Sequence, residues 1–234
     1  MGIIAPYFPT EMATKLAGMA KAEVFVETGT YMGNTSIWAS CQFKTVHTIE
    51  WSEVYFREIK DKLLPYKNIF SYLGNSRDVL PKILLGINAN TIFWLDAHYS
   101  MPESAGKEEP CPLLKELEVV LSREHDDIII IDDARCLLGA KGWPSMNELY
   151  KKIESSSVKN KHIAVCDDIV YIVPDESKYK ELILNYVLER NAILWKQDKR
   201  YRNPKPRDVA VIALKIIGLY NFAKGIYTKI KKKE

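Results

Sequence analysis

Five short apolar segments of the chain are each followed by polar or acidic residues at the point where the segment ends. A glycine at such a point lets the backbone turn tightly and approach a ligand, and carboxylates or amides there exchange hydrogen bonds with it. If the segments are strands of one sheet, these groups predict a lined binding site rather than five unrelated helix caps. The groups are ETGTYMG (residues 27–33), Glu50, Asn75 with Ser76, Asp96, and Asp132 with Asp133.

The first group has the pattern Glu-x-Gly-x-x-x-Gly, which follows an apolar segment and precedes a helical one. It differs from the dinucleotide fingerprint GxGxxG, and no lysine follows it as in a P-loop. Glu50 comes about 20 residues later, where an acidic residue commonly accepts both hydroxyl hydrogens of a ribose. The glycines alone would only permit a tight turn, but together with Glu50 they favour a nucleoside ligand.

Three aspartates, Asp96, Asp132 and Asp133, are expected to converge at the ends of two neighbouring strands. Their hard oxygen atoms suit Mg²⁺, Mn²⁺ or Ca²⁺ better than zinc. Three carboxylates this close repel one another, so we expect a cation or a bound basic group between them. In the alternative interpretation, Asp132 or Asp133 caps the following loop and Asp96 contacts the amine of a cofactor.

His98 follows Asp96 by two residues, so both side chains face the same way if the strand geometry continues. A histidine there suits a general base near neutral pH, and the alternative is a structural histidine or one that orients a metal ligand. Arg135, Lys141 and Trp143 would contact an anionic or sugar acceptor, unless they are surface charges beside a core tryptophan. The polar loop 99–111 is expected to close over the site.

The elements that must position these residues alternate between apolar strands and amphipathic helices. Alternation of this kind predicts parallel strands joined by right-handed crossovers. Helices are predicted to begin near Asn34, to cover residues 52–64, and to begin at Pro112. The strands are predicted at residues 24–27, 45–50, 69–73, 91–95 and 127–131.

The pattern changes after the fifth strand. Ser145 and Glu148 form the sequence of a capping box, which predicts a helix. Residues 163–166 and 169–173 flank Asp167-Asp168 and predict an antiparallel hairpin. The predicted fold is therefore α/β: a Rossmann-like seven-stranded sheet of five parallel strands plus a C-terminal antiparallel hairpin, with helices on both faces.

The segments ETGTYMG, TIEW, LGNSRDVLP, FWLDAH and IIIIDDA occur in this order over about 110 residues, 24–134, and together they resemble the class I S-adenosylmethionine-dependent methyltransferases. The arrangement of the aspartates resembles most the divalent-metal-dependent O-methyltransferases, including the macrocin-type sugar methyltransferases and, more distantly, the catechol type. The resemblance implies methyl transfer to a sugar or glycan hydroxyl, assisted by Mg²⁺, Mn²⁺ or Ca²⁺. A metal-independent enzyme with an N- or phosphate-linked acceptor, and a non-catalytic nucleoside-binding or scaffold relative, remain open.

The resemblance also implies a role for individual residues. His98 and Asp96 are expected to be catalytic, Asp96, Asp132 and Asp133 to bind the metal, and Arg135 and Trp143 to contact the acceptor. The family more often has an acidic residue at the position of Asn75, where this chain has an amide that can still contact adenine. The residues implied to bind the methyl donor are Glu27, Thr28, Gly29, Thr30, Gly33, Asn34, Thr35, Glu50, Trp51, Asn75, Ser76 and Asp96.

The composition excludes several other classes of protein. The 234 residues carry a net charge of +3, too small to indicate nucleic-acid binding. No apolar run reaches the roughly 20 residues of a membrane span, and the N-terminus lacks the features of a signal peptide. The four cysteines are isolated in sequence, which favours free thiols in a reducing cytoplasm over a zinc site or disulfides.

The C-terminal region differs in character from the rest of the chain. We predict a methyltransferase domain at residues 1–195, with its core at about 20–175, followed by a basic linker and an amphipathic helix within 196–234. Such a basic helix lies on an anionic membrane surface, packs on its own domain or joins a homodimer, and the sequence leaves these open. The expected location is cytoplasmic, with a peripheral position at the inner membrane face if the helix binds lipid.

Overall fold

The fold is described from a computed structural model, which describes residues 8–97, 111–156 and 161–197. The chain divides into two units, Met1–Ile183 and Leu184–Glu234. The sheet and every site residue discussed below belong to the first unit. The predicted domain boundary after residue 195 stays a prediction, and the predicted C-terminal linker and helix lie outside the described residues, apart from positions 196 and 197.

Strands and helices alternate along the described chain. The strands are β1 (Val24–Thr28), β2 (Thr45–Glu50), β3 (Ile69–Leu73), β4 (Thr91–Leu95), β5 (Ile128–Ile131), β6 (Lys161–Cys166) and β7 (Ile169–Pro174). The helices are α1 (Thr10–Ala20), α2 (Asn34–Ser40), α3 (Glu53–Leu63), α4 (Ser76–Leu84), α5 (Leu113–Val120), α6 (Met146–Glu154) and α7 (Ser177–Gln197), with a short 3-10 turn at Ala134–Cys136. In this part of the chain no helix is long and apolar enough to cross a membrane.

The strands form one seven-stranded sheet in the order β3-β2-β1-β4-β5-β7-β6. β1 to β5 pair in parallel, whereas β7 runs antiparallel to both β5 and β6, so the predicted fold class is confirmed. Thr28 at the end of β1 pairs with Ile49 of β2 and Leu95 of β4. The carboxyl ends of these three strands are therefore level, and strand order reverses at β1, the point where open α/β sheets bind their ligands.

The central strands form because their sequences are largely apolar. β1, β4, β5 and β7 are buried along their whole length, as expected for strands covered on both faces. Helix starts are fixed by side chains: Ser52 caps α3, Asn75 caps α4, and Ser145 with Glu148 forms the predicted capping box of α6. Ser52 and Asn75 come two residues after β2 and β3, so these caps also fix where the chain leaves each strand.

The structure differs from the sequence expectations at some element ends. β1 extends to Thr28, β6 begins at Lys161 and β7 ends at Pro174. Asp127 lies before β5 because its carboxylate instead accepts the Thr91 amide at 2.8 Å and pairs with Arg123 at 2.7 Å. Helix α1 was not predicted, although its buried residues Met12, Ala13, Leu16 and Ala20 have helical spacing.

Candidate functional site

The turn after β1 is built around a backbone contact that only glycine allows. Gly29 has φ +89°, and a Cβ atom there would lie 2.6 Å from the carbonyl oxygen of Asp96. The turn therefore lies directly against the carboxyl end of β4. Gly33 has φ +70° at the start of α2, and a Cβ there would lie 3.2 Å from Leu63 Cδ2 of α3. The two glycines therefore let the turn pack closely, Gly29 against the end of β4 and the buried Gly33 against α3.

Glu50 joins this turn to the next strand. Its buried carboxylate accepts the Tyr31 amide at 2.9 Å through Oε2 and the Ser52 amide at 2.7 Å through Oε1. Each carboxylate oxygen has a second lone pair, so both oxygens can accept one further hydrogen bond, as a ribose diol would require. Trp51 and Tyr31 beside it are 39% and 47% exposed, so large aromatic surfaces border this carboxylate.

Glu27 lies beneath the turn, fully buried. Its Oε2 accepts Ser36 Oγ at 2.5 Å and Thr48 Oγ1 at 2.7 Å, and Thr48 Oγ1 lies 2.6 Å from Thr30 Oγ1. Burial raises the pKa of Glu27 to about 7, against the opposing effect of these hydroxyl hydrogen bonds. Glu27 therefore supports the turn from inside rather than presenting an open surface.

Unpartnered polar atoms lie at the carboxyl ends of β1 and β3. Asn75 accepts the Arg77 amide at 3.0 Å through Oδ1 and so caps α4. Its Nδ2, together with Ser76 Oγ and Thr28 Oγ1, is buried without a hydrogen-bond partner among the described residues. Buried polar groups are rarely left unpaired, because losing water without a replacement bond is costly. These atoms fit a site that a polar ligand completes.

Two of the residues predicted to bind the donor make hydrogen bonds within the protein. Asn34 is exposed, and its Oδ1 accepts Lys62 Nζ at 2.9 Å; the same ammonium group donates to the Met32 carbonyl. Thr35 contributes a side-chain hydrogen bond to Glu27. Other predicted donor-binding residues lie at the strand ends or just after them, namely Gly29, Glu50, Asn75 and Ser76.

A small cavity lies at the carboxyl ends of β4 and β5. Asp96 and Asp132, which were predicted to bind a metal ion, line it together with Trp143, which was predicted to contact the acceptor. Sequence reasoning missed two further lining residues, Glu116 of α5 and Cys111 before it. Glu116 is buried on an otherwise apolar face of α5, and a carboxylate in that pattern could have indicated a polar site. Burial raises the pKa of Cys111 to about 12.

Asp133 does not join Asp96 and Asp132. Its backbone is in the left-handed region at φ +56°, and its Oδ1 lies 2.6 Å from Arg135 Nη1. In residues 8–97, 111–156 and 161–197, no group of three histidine, cysteine or acidic side chains has the geometry to hold a metal ion. The predicted metal triad therefore does not fit the donor atoms of the described structure.

Arg135, which was predicted to contact the acceptor, makes ion pairs within the protein. Its backbone amide donates to Asp168 Oδ1 at 2.7 Å, and its guanidinium pairs with Asp168 Oδ2 as well as with Asp133. Asp168 belongs to the β6–β7 turn, which sequence reasoning treated only as a turn. His98 and residues 99–110 lie outside the described residues, so the predictions of a general base and of a closing loop are untested.

No model of a known protein family and no curated protein matches this sequence. Solved structures match its fold. An O-methyltransferase from Bacillus cereus in complex with S-adenosylhomocysteine has 17% identity over 73% of this chain and 84% of its own, with a TM-score of 0.50. A proposed caffeoyl-CoA O-methyltransferase from Staphylococcus aureus has 16% identity over 74% and 86%, with the same TM-score.

A proposed rRNA methylase from Clostridium thermocellum also reaches a TM-score of 0.50, with 12% identity over 73% of this chain and 98% of its own. At such identities the likeness concerns the fold. The protein has the Rossmann-like fold of the class I methyltransferases, with the seven-stranded sheet and its reversed strand.

Proposed function

We propose that the protein is an S-adenosylmethionine-dependent O-methyltransferase. The observation that carries this proposal is the row of ligand-ready groups along the ends of three adjacent strands. These are the Gly29 turn after β1, the Glu50 carboxylate at the end of β2, and Asn75 Nδ2 after β3, which has no hydrogen-bond partner among the described residues. A turn, a diol acceptor and a buried amide in this order match the amino acid, ribose and base of such a donor.

The donor supplies a methyl group already activated on its sulfonium. The residues of this chain would bind and orient it: Gly29 by close backbone approach, Glu50 by accepting the ribose hydroxyls, and Asn75 by donating to the base. Glu27 holds the turn from behind through Ser36 and Thr48. Catalysis of this kind is chiefly a matter of positioning an acceptor oxygen in line with the methyl group.

We infer that the acceptor is a sugar or glycan hydroxyl bound at the cavity beside β4 and β5. Asp96 and Asp132 offer carboxylate oxygens to hydroxyl groups, and Trp143 offers an apolar surface. His98, two residues after Asp96 in sequence, is proposed as the general base. Metal assistance is not part of this proposal, because Asp133 faces Arg135 and the described donor atoms do not fit a divalent ion.

Calorimetry with S-adenosylmethionine tests the proposal. Ser is as good a helix cap as Asn, so Asn75→Ser should keep α4 stable while removing the amide donor. We expect wild-type protein to bind the donor and Asn75→Ser to bind it about tenfold or more weakly, the effect of a lost buried hydrogen bond. Glu58→Gln, on the exposed face of α3, is the matched control and should bind normally.

Wild-type protein that binds no donor would contradict the proposal. Binding without transfer of a labelled methyl group to any hydroxyl acceptor would instead support the non-catalytic alternative. His98→Ala tests the base: its rate between pH 6 and 9, a range that brackets the ordinary histidine pKa, should fall and lose its pH dependence. Membrane contact or dimerisation through residues 209–230 remains a sequence-based proposal.

A further inference from the structure

Two aspartates from separate elements share one arginine at the corner between β5 and the β6–β7 turn. Asp133 follows β5 and approaches Arg135 Nη1 at 2.6 Å, and Asp168 of the turn pairs with the same nitrogen. The Arg135 amide donates to Asp168 Oδ1 at 2.7 Å, and the Ala134 amide donates to the Asp168 carbonyl at 2.8 Å. Arg135 thus ties the end of the last parallel strand to the antiparallel hairpin.

Because the two aspartates are nearly buried, their negative charges require a positive charge beside them, and Arg135 supplies it. The side chains of Asp133 and Asp168 are only 13% and 8% exposed, whereas that of Arg135 is 46% exposed. Carboxylates removed from water to this degree need a cation or hydrogen-bond donors beside them. The guanidinium supplies both, with one face in solvent and the other against two carboxylates.

The backbone supports this arrangement from both sides. Asp133 and Asp168 both have positive φ, +56° and +69°, a conformation that aspartate tolerates better than most residues. At Asp133 the chain turns into the Ala134–Cys136 turn, and this turn contains the arginine. The turn therefore directs the Asp133 carboxylate toward Arg135, while Asp132 stays at the cavity with Asp96.

A divalent ion at Asp133 would compete with this guanidinium. Such ions bind carboxylate oxygens at about 2.0–2.6 Å, comparable to the distance at which Arg135 already lies. A second positive charge so near the first would be repelled, and Asp133 Oδ1 would have to leave its present partner.

We propose that Arg135 is a built-in counter-cation, which takes the place at Asp133 that a divalent metal ion would otherwise fill. Arg135 neutralises Asp133, so this carboxylate needs no metal ion for charge balance. Asp96 and Asp132 line the neighbouring cavity, which is the proposed acceptor site. This inference rests on the proposed function only where the cavity is called an acceptor site. The ion pairs of Arg135 with Asp133 and Asp168 do not depend on the proposed function.

Binding of Mn²⁺ tests the first half of the proposal. Free Mn²⁺ is followed by its paramagnetic resonance signal during titration of the full-length protein, with and without S-adenosylhomocysteine. We expect wild-type protein and Asp133→Asn to give the same titration up to about 1 mM, the weak end of carboxylate sites. Stoichiometric binding to wild type that Asp133→Asn abolishes would overturn the proposal.

Charge compensation in a variant series tests the second half. Arg135→Gln leaves two nearly buried carboxylates uncompensated and should raise the unfolding equilibrium constant about tenfold or more. Adding Asp133→Asn should recover most of this loss, because asparagine keeps the left-handed turn and removes a charge. Arg135→Lys should lose less than Arg135→Gln, since it keeps the charge.

If Asp133→Asn instead adds a further loss to Arg135→Gln, the two residues are not compensating each other and the idea fails. Donor binding is measured by calorimetry on the same wild-type sample. A sample that binds donor and also binds Mn²⁺ at Asp133 refutes only the counter-cation. A sample that binds neither refutes only the proposed function.

Discussion

At the scale of single residues, the turn after β1 depends on atoms that cannot be added or removed without moving a neighbouring strand. Gly29 packs against the Asp96 carbonyl, Glu50 holds the Tyr31 amide, and Glu27 is buried below both. These contacts join β1, β2 and β4 in one place. Substitutions here should therefore change ligand binding and stability together, in directions that follow from each contact.

Gly29→Ala should abolish measurable donor binding and lower the free energy of unfolding by about 1–3 kcal/mol, the cost of a strained left-handed residue plus a steric contact. A Cβ there meets the Asp96 carbonyl oxygen at 2.6 Å. Gly18→Ala is the control, since nothing lies within 4 Å of its added Cβ in helix α1, and it should stabilise by about 0.5–1 kcal/mol. Calorimetry and chemical denaturation give both numbers. Normal donor binding by Gly29→Ala would contradict the proposed role of this turn in donor binding.

Glu27 should make stability depend on pH in an unusual direction. Its pKa is about 7 in the folded protein against 4.5 as the ordinary value, so the folded state holds the proton more tightly. Between these values the native state binds more protons than the unfolded state, and the contribution of Glu27 to stability falls as pH rises. The difference in free energy of unfolding between Glu27→Gln and wild type should therefore grow from pH 4.5 to pH 7 in favour of Glu27→Gln. If the difference in free energy of unfolding stays constant from pH 4.5 to pH 7, the pKa of Glu27 is not raised in the folded protein.

At the scale of elements, the two ends of the parallel strands have different roles. The carboxyl ends carry the candidate site, whereas the amino ends carry a structural ion pair. Arg123 Nε lies 2.7 Å from Asp127 Oδ2, both side chains are at most 8% exposed, and the Arg123 guanidinium also donates to the Ile87 and Ala89 carbonyls at 2.8 Å. This pair therefore joins the loop before β4 to the loop before β5.

Asp127→Ala should destabilise the protein by about 3–5 kcal/mol, because it leaves a buried guanidinium without its carboxylate and the Thr91 amide without its acceptor. Donor affinity at temperatures where the variant is folded should be unchanged. Denaturation and calorimetry on one preparation measure both effects. Weakened donor binding by the folded variant would show that the two strand ends are coupled.

The elements themselves could be predicted from sequence because uninterrupted apolar runs such as residues 128–131 leave little choice but buried strands. The tight turn at Gly29 and the position of Glu50 at the end of β2 could also be predicted, because a glycine after an apolar strand and an acidic residue at a strand end are visible in the sequence. The pairing of Arg135 with Asp133 and Asp168 was not predictable, since it depends on a left-handed residue at 133 and on a turn 33 positions further along the chain than Arg135. Glu116 was missed because periodicity marks a position as buried without telling what it is buried against.

At the scale of the whole molecule, donor binding and folding of the first unit should be linked. The candidate donor groups come from three strand ends, so the site exists only when β1, β2 and β3 are assembled. A ligand that binds only the folded state at 100 times its Kd adds about 2.7 kcal/mol to stability. S-adenosylhomocysteine should accordingly raise the melting temperature of wild type in a concentration-dependent way, and should leave that of Gly29→Ala unchanged. A melting temperature of wild type that ignores the ligand would argue against the site.

The groups assigned to the donor and those at the cavity come from two consecutive stretches of the chain, residues 27–76 and residues 96–143. The two stretches meet at Asp96, whose amide donates to the Thr28 carbonyl at 3.0 Å and whose carbonyl oxygen lies against Gly29. An engineer could therefore exchange the second stretch as a single cassette, provided that Asp96 and its backbone contacts are kept. Acceptor preference would then be transplantable between proteins of this fold while the donor half stays untouched.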